Sequence, residues 1–599
     1  MRPSVQKPRR DFRDRRNSSR GRGRGPLPFR ARPEPREKSA VNIKLGVLRV
    51  IPLGGLEEVG RNSMLLEYGG DIIVIDLGLQ FPEENMPGVD YIIPDATYLK
   101  QNKDKIRGVI ITHAHYDHIG GIPYVIPQIG NPTVYAMPLT RAIILKRQED
   151  FKHMGEIDIQ EIKEDTTLEL GVFKIEFFHV NHNIPDTVGV AIHTPVGIIC
   201  HTADFKFDNN PHGDKPADYA RIARLSQEGV LMLMSDSTGA ERPGHSISES
   251  TIFQNLDEIF AACKGRIITA TFASLISRIQ QLITLAEKYD RKVIVEGYSM
   301  KSNVALAQEL GYIKAKKGTI IDVRDADNFA PNRILVIGTG AQGESGAMLM
   351  RIAQREHKFI RFEEGDTVIF SSSVIVGNER TIQSLKDIIY RQGANVFHYG
   401  MMDIHAGGHA QQEDLKLMIN LMRPKFFMPI HGNYFMLKLH ANLAESVGIP
   451  KENIMIAGNG KIVELTADSA RIAKEEVSAN YVFVDGLGVG DVGEVVLRDR
   501  QMLAEDGIFV IIAIVDSKTG KVYTSPDIIS RGFIYLRENQ ELLKMVRHKV
   551  KEIVEHTTTA GQHPVNWSYI RYQIRDDIGQ FLYQKTHRRP MVLPVVTEI

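Results

Sequence analysis

The stretch Val109-Ile-Ile-Thr-His-Ala-His-Tyr-Asp-His-Ile-Gly-Gly121 decides the reading of this chain. An apolar run closing at Thr112 reads as a buried strand. Three imidazoles and a carboxylate follow it, before Gly120-Gly121 lets the backbone turn away. His113 and His115, two apart in an extended segment, point to the same side and can reach one metal ion. Asp117 and His118 sit one turn further on and can reach a second. The bland alternative is a histidine-rich surface turn, but chance rarely places His-x-His-x-Asp-His directly after a buried strand. Three nitrogens and a carboxylate suit zinc better than calcium or magnesium, which prefer all-oxygen shells.

His-x-His-x-Asp-His resembles the signature of the metallo-β-lactamase superfamily. Its members mostly hydrolyse esters, amides or phosphodiesters with one or two metals. From residue 43 to about 237, short β-branched strands separated by turns fit the αββα sandwich that this resemblance implies. Helical stretches intervene near residues 138–152 and 216–228. Asp76 closes the run Ile72-Ile-Val-Ile-Asp76. It resembles the superfamily's first motif, an acid that orients the metal loop through hydrogen bonds without binding metal; a plain strand-end Asp is the alternative. Three histidines compete for the next ligand. His179 lies inside a strand and His201 at the end of another, both most simply core or edge residues, whereas His182 follows its strand in a loop broken by Asn183 and Pro185. Asp204 ends a strand and has the two oxygens that bridging two cations requires. The resemblance selects His182 and Asp204 as well.

The bulk properties bound these readings. At 599 residues the chain is too long for one core and implies about three or four domains. Its 43% hydrophobic and 25% charged residues are those of ordinary globular protein. Two cysteines, Cys200 and Cys263, supply neither a disulfide framework nor a thiolate zinc site, so every ligand must be His, Asp or Glu. That usage, the lack of an apolar run near the ~20 residues of a membrane span and the lack of a signal-type apolar segment predict a cytoplasmic protein with no membrane partner. The net charge of +1 hides a basic N-terminus: residues 1–40 hold fourteen Lys and Arg against four Asp and Glu. Residues 1–42, with Arg20-Gly-Arg-Gly-Arg-Gly25, read as a disordered tail that binds RNA without sequence preference, or else as a solubilising tail.

Beyond residue 245 the rhythm becomes βαβα, a parallel α/β domain over 246–390. Gly338-Thr-Gly-Ala-Gln-Gly343 follows a strand, but a lone glycine-rich loop is weak evidence of a nucleotide site. Metallo-type residues resume over 391–466 with His405-Ala-Gly-Gly-His409 and a strand ending in His431-Gly432, so the second domain is an insertion. An insertion followed by these segments resembles the β-CASP branch of the superfamily, which cuts RNA or DNA. Residues 467–480 read as a helical linker, and 481–599 as a small α+β oligomerisation domain. There Ile508 to Val515 and Lys521 to Tyr523 form a hairpin, followed by two helices and an apolar tail.

Over about residues 43–599 the chain resembles the bacterial ribonuclease J family. The match rests on Pro52-Leu-Gly-Gly-Leu-Glu-Glu-Val-Gly60, His113 to Gly121, Asn181-His-Asn-Ile-Pro-Asp186, Ala203-Asp-Phe-Lys-Phe-Asp208, Ala270-Thr-Phe-Ala-Ser274, His405 to Gln411, Pro429-Ile-His-Gly432 and the ending His587-Arg-Arg-Pro-Met-Val. Two positions depart from the family pattern. Gly407 stands where a Ser is common and Ala341 where Gly-Ser-Gln-Gly is frequent, each removing a hydroxyl near the expected phosphate pocket.

The resemblance implies two Zn2+ per subunit, with Mn2+ or Mg2+ as substitutes. His113, His115 and His182 would hold one ion, Asp117, His118 and His431 the other, and Asp204 would bridge. His409 would donate to the reacting phosphate, with Asp117 and Asp204 also in the catalytic set. Phe272, Ala273, Ser274, His405, Ala406, Gly407, Gly408 and His409 would hold a terminal 5′-phosphate. The implied activity is 5′ to 3′ exonucleolysis of single-stranded, preferably 5′-monophosphorylated RNA, with endonuclease activity, in rRNA maturation and mRNA decay. The implied assembly is a homodimer or dimer of dimers, with other RNA-decay proteins as partners. The competing readings are a hydrolase of small substrates, a β-CASP DNA-processing nuclease, and a non-catalytic RNA-binding scaffold. The insertion of about 140 residues and the basic tail speak against the first, and the retention of all seven ligands against the last.

Overall fold

A computed structural model describes residues 46–83, 85–344, 346–375, 377–558 and 566–599. The reading of residues 1–42 as a disordered RNA-binding tail therefore lies outside the described residues.

Two sheets form the sandwich. The first has eight strands in the order Ala470–Glu476, Lys461–Leu465, Leu48–Gly54, Ser63–Tyr68, Asp71–Ile75, Ile106–Ile110, Val134–Ala136 and Ile159–Glu161. The second has six, in the order Phe426–Ile430, Val230–Asp236, Gly197–His201, Val188–Thr194, Phe173–His179 and Thr167–Leu170. Strand side chains alternate between faces, and here both faces are buried. Leu48, Val50, Ile73 and Ile110 of the first sheet join Ile175, Val190, Met232 and Met428 of the second in one core between the sheets. The intervening positions pack outward: Ile51, Leu65 and Val109 on one side, and Phe178, Leu233 and Phe427 against the helices Tyr219–Glu228, Gln412–Met422 and Tyr434–Ser446 on the other. This is the expected αββα arrangement.

The inserted domain is a six-stranded sheet, all parallel, in the order Ile320–Ile321, Lys292–Val295, Ile334–Gly338, Ile267–Ala270, Thr367–Phe370 and Asn395–His398. Its glycine-rich loop is held by Gln342, whose amide donates to the Ser373 carbonyl (2.6 Å) and accepts from Ile375 N–H (2.8 Å). Ala341 is buried there.

One local expectation needs correction. Residues 467–480 are not helical: Ala470–Glu476 is an edge strand paired antiparallel with Lys461–Leu465. The composition Ala-Arg-Ile-Ala-Lys-Glu-Glu favours helix by propensity, but an unfilled sheet edge offers a full ladder of hydrogen bonds and overrides it. In the C-terminal domain the expected hairpin is present but short: Val515 bridges Val522 antiparallel, and Asp516 N–H and Tyr523 N–H donate to the Lys521 and Ile514 carbonyls at 2.9 and 2.8 Å. The main partners of Ile508–Val515 are Asp527–Arg531, antiparallel, and the terminal strand Met591–Glu598, parallel. The two expected helices are Gln540–Thr558 and Trp567–Thr586.

Candidate metal centre

Six strands of the sandwich end at one edge. Asp71–Ile75 and Ile106–Ile110 run parallel, as do Gly197–His201, Val230–Asp236 and Phe426–Ile430. Phe173–His179 reaches the same edge through two antiparallel pairings. Each strand delivers a site residue as it ends. Three of these exits pass through left-handed backbone at non-glycine residues, Asp76 (φ 61°), Ala203 before Asp204 (φ 56°) and His431 (φ 51°). Such conformations are disfavoured for side chains with a Cβ, and packing must impose them; here they swing the side chains into the cleft.

The structure brings the seven proposed ligands together in two groups. His113 Nε2 and His182 Nε2 lie 3.1 and 3.0 Å from His115 Nδ1, and Asp204 Oδ2 is 3.7 Å from His113 and 3.9 Å from His182. In the second group, His118 Nε2 is 3.3 Å from Asp204 Oδ2 and 3.6 Å from Asp117 Oδ2. His431 Nε2 is 3.4 Å from Asp117 Oδ2. Ligand atoms about 2.0–2.2 Å from one tetrahedral ion lie roughly 3.3 Å apart, so both groups have the spacing that a zinc-sized ion requires. His431 Nε2 is buried without a hydrogen-bond partner, a cost that a bound cation would remove.

Protonation fits as well. Burial, and then the charge of neighbouring imidazoles, holds His113 and His182 well below the usual histidine range. Burial brings His115 to about 4, so these three offer lone pairs at neutral pH. Asp204 stays ionised: burial opposes this, but the charges of His431 and His118 outweigh it. Around His118 burial is likewise outweighed, by Asp204, Asp117 and Asp76, and the ring is pushed up; a divalent ion can replace that proton's charge.

The surrounding shell sets the rings. Asp76 accepts from Thr112 N–H and Thr112 Oγ1 (2.8 Å each) and lies 2.7 Å from His118 Nδ1, leaving Nε2 for the cleft. Thr112 Oγ1 also meets His113 Nδ1 at 3.0 Å. Gly78 lies beneath the loop, where a Cβ would fall 1.5 Å from the Asp117 carbonyl oxygen. His179 and His201 lie outside the ligand groups: His179 Nε2 faces the Lys215 carbonyl at 3.1 Å, and His201 Nδ1 accepts from Ala203 N–H at 3.0 Å.

His409 lies against the cluster, its ring 5.2 Å from that of His182. Its Nδ1 is 2.8 Å from Asp236 Oδ2. Asp236, which also stands 3.3 Å from His431 Nδ1, belongs to the cluster and is the residue that the motif reading did not name. Its signal is the one that marks Asp76 and Asp204, an acid ending an apolar strand. Gly408 plays an unexpected part, since its carbonyl sits 2.7 Å from His182 Nδ1 and orients that ring.

The two segments expected to hold phosphate are joined through one buried cation. Arg278, in the helix Ile276–Lys288 that follows Ser274, donates to the Ile404 carbonyl (2.7 Å) and to Ser371 Oγ. Phe272 to Ser274 form the turn before that helix, half-buried, and His405 to His409 follow Ile404. Beneath them Lys206 and Arg278, each 1% exposed, share the single carboxylate Glu249 at 3.2 and 2.7 Å. Two buried cations against one anion leave positive potential at this end of the cleft. Burial, and then the charge of Arg278, holds His405 down to about 3; it is neutral, with a buried Nδ1 that has no partner. Gly407 is less confined, and a Cβ there would meet only an Arg242 guanidinium nitrogen, at 3.4 Å.

Comparisons with known proteins agree with this layout. Family models match over residues 56–252 (metallo-beta-lactamase superfamily), 264–389 (ribonuclease J, beta-CASP domain), 401–456 (Zn-dependent metallo-hydrolase RNA specificity domain) and 495–599 (ribonuclease J C-terminal domain). The chain is 44% identical over 559 residues to Ribonuclease J 1 of Streptococcus pyogenes, covering 93% of this chain and 98% of that one. It is 38% identical over 552 residues to Ribonuclease J2 of Bacillus subtilis, covering 92% and 99%. Among solved structures, a protein of unknown function from Enterococcus faecalis shares the fold, with a TM-score of 0.51 at 17% identity, over 70% of this chain and 100% of that one.

Proposed function

The chain belongs to the ribonuclease J family, and from that membership we propose that it is a metal-dependent hydrolase of single-stranded RNA, a 5′ to 3′ exonuclease that also cuts internally. The observation that carries this reading is the pair of ligand groups meeting at Asp204, beside a segment that returns from the inserted domain. We assign His113, His115 and His182 to one ion, Asp117, His118 and His431 to the other, Asp204 to both, and zinc as the metal. Two such ions supply Lewis acidity, neutralising charge on phosphoryl oxygens and making water acidic enough to attack near neutral pH.

The chain's own residues do the rest. Asp76 and the Gly408 carbonyl keep the His118 and His182 rings turned to the cleft. His409, braced by Asp236, presents Nε2 as a donor to the phosphate that is cut. Water oxygen bonds to phosphorus, the bond to the 3′-oxygen breaks, and the released 3′-hydroxyl carries away a proton. The turn Phe272, Ala273 and Ser274, with His405, Ala406 and Gly407, is assigned to the terminal 5′-phosphate, supported by the excess of buried cation around Arg278 and Lys206. A phosphate anchored at a set distance from the ligands measures off one nucleotide, and a strand that bypasses the anchor is cut internally.

We further assign the protein to rRNA maturation and mRNA decay in the cytoplasm, in association with other RNA-decay proteins and with itself through the C-terminal domain. Among the described residues no helix is long and apolar enough to cross a membrane. Incubation of the purified protein with 5′-labelled monophosphorylated RNA and DNA tests the central reading. Expected are mononucleotides from RNA, abolished by chelator and by Asp117→Ala with the fold retained; unchanged hydrolysis in that variant would overturn the two-ion assignment.

A further inference from the structure

Beside the loop that carries the proposed ligands sits a cation that no acid among the described residues neutralises. Arg147, near the end of the helix Pro138–Gln148, lies with its guanidinium carbon 4.5 Å from the centre of the Tyr116 ring, 5.3 Å from that of Phe151 and 5.9 Å from that of Tyr91. Among the described residues it forms no ion pair. Its one hydrogen bond there is a long one, from Nη2 to the Gly120 carbonyl at 3.4 Å, and its Nε is buried without a partner. A guanidinium has five N–H donors in a planar fork suited to phosphate oxygens, and most of these are unused.

Two aromatic side chains of this patch are exposed. Tyr116 is 43% exposed and Phe81, edge-on to Tyr91 at 6.1 Å, is 62% exposed. Tyr116 stands between His115 and Asp117, so its backbone is one residue from each ligand group. Its carbonyl accepts from Leu79 N–H (3.0 Å) and Gly120 N–H (2.7 Å), which fixes the backbone that carries the ring relative to the cluster. The helix that carries Arg147 packs against the inserted domain's helix Tyr298–Glu309, so the patch adjoins the boundary between the two domains.

An exposed aromatic face backed by an unpaired guanidinium, at a fixed distance from a phosphodiester-cutting centre, is the chemistry that single-stranded nucleic acid recognises. Bases stack on the ring, and the cation takes the adjoining phosphate. We infer that Tyr116 and Arg147 form a stacking platform for one base of the RNA strand beside the metal loop, making them substrate-positioning residues of the activity proposed above, on which this inference rests. A protein surface could also seat on such a patch, but nothing about that occupant would place it next to the ligands.

The test is a scan of a ten-nucleotide, 5′-monophosphorylated RNA in which each position in turn is made abasic, cleaved by the wild-type chain and by Tyr116→Ala, Tyr116→Phe and Arg147→Met. Expected is one position at which loss of the base raises KM about tenfold in the wild type, in line with one stacked base. Tyr116→Ala and Arg147→Met should raise KM on intact RNA by a similar factor with kcat within about twofold. Neither should respond to loss of that base, while Tyr116→Phe keeps the wild-type pattern. Metal content measured alongside separates this from damage to the neighbouring ligands. Variants with the wild-type KM, or ones that still respond to the abasic position, would overturn the platform while leaving the ribonuclease reading in place. A lower melting temperature with no change in KM would make the stack a structural brace only. A wild-type protein that fails to cleave any RNA would instead sink the functional reading itself.

Discussion

Replacing Gly408 by alanine puts a methyl group where the structure has no room for one. A Cβ there would lie 2.4 Å from His182 Cε1, 2.7 Å from His182 Nδ1 and 2.8 Å from Asn183 Nδ2. Non-bonded carbons settle at about 3.5–4.0 Å, so the ring or the loop must yield by about 1 Å. Either movement lengthens the 2.7 Å contact between His182 Nδ1 and the Gly408 carbonyl and draws Nε2 from its place 3.0 Å from His115. Loss of an outer partner of a ligating histidine costs roughly 10–100-fold in metal affinity or activity, and a misplacement of about 1 Å can cost about 100-fold in rate. G408A should therefore bind Zn2+ in the His113 group roughly 10–100-fold more weakly and cleave RNA at no more than about a tenth of the parent rate. Competition with a chromophoric chelator measures the first, and single-turnover hydrolysis at fixed free Zn2+ the second. Gly407→Ala is the control for Zn2+ affinity, because its Cβ meets only Arg242 at 3.4 Å, and it should change that affinity less than about twofold. Parent-like affinity and rate in G408A would refute the reasoning. An equal loss of affinity in Gly407→Ala would do so too, since it would mean that the loop rejects any side chain.

Removing residues 1–40 takes away a net charge of +10, from fourteen basic and four acidic residues. Binding to long RNA should weaken and its salt dependence flatten, while turnover of a short oligonucleotide at saturation holds; a large fall in that turnover would give the tail a chemical role. In the C-terminal domain, Ile508, Val510, Ile512 and Ile514 line one half-exposed face of the sheet, with Leu593 and Val595 exposed at 47% and 41% on the neighbouring strand. Ile512→Lys should convert a dimer to a folded monomer in light scattering, and a parent protein at its 67.3 kDa chain mass at micromolar concentration would contradict self-association. Burial holds His440 neutral down to about pH 3, against an ordinary value near 6.5. The unfolded chain binds that proton below pH 6.5 and the folded chain does not, so folded stability is lost as the pH falls through that window, by about 1.4 kcal/mol per pH unit. Urea unfolding of His440→Asn between pH 6 and 4 should show a slope shallower by about that amount; parallel profiles would mean that the ring is protonated in the folded state.

Much of the centre was legible in the sequence because its spacing is local. His113, His115, Asp117 and His118 lie within eight residues of the strand end at Ile110, so a strand followed by a turn is enough to aim them. His431 is the first polar side chain past the apolar run Phe426–Ile430, whereas His182 and Asp204 stand three residues beyond their strand ends; the loop position singled out His182 among the competing histidines, and the resemblance to a family selected the same residues. The parallel rhythm of the inserted domain was equally plain, since strands buried on both faces must be apolar throughout. Contacts between distant segments had to await the tertiary structure. Asp236 meets His409 across 173 residues, and the Gly408 carbonyl reaches His182 across 226. No pattern along the chain encodes a distance between segments that only folding brings together. The segment Ala470–Glu476 shows the same limit from the other side: its residues favour a helix in isolation, and it is a strand because the sheet edge at Lys461–Leu465 stands open beside it. Sequence alone determined which residue types could bind metal and at which strand ends they stood. The packing of one sheet on the other decided which of them share an ion, because that depends on the register of strands far apart in the chain.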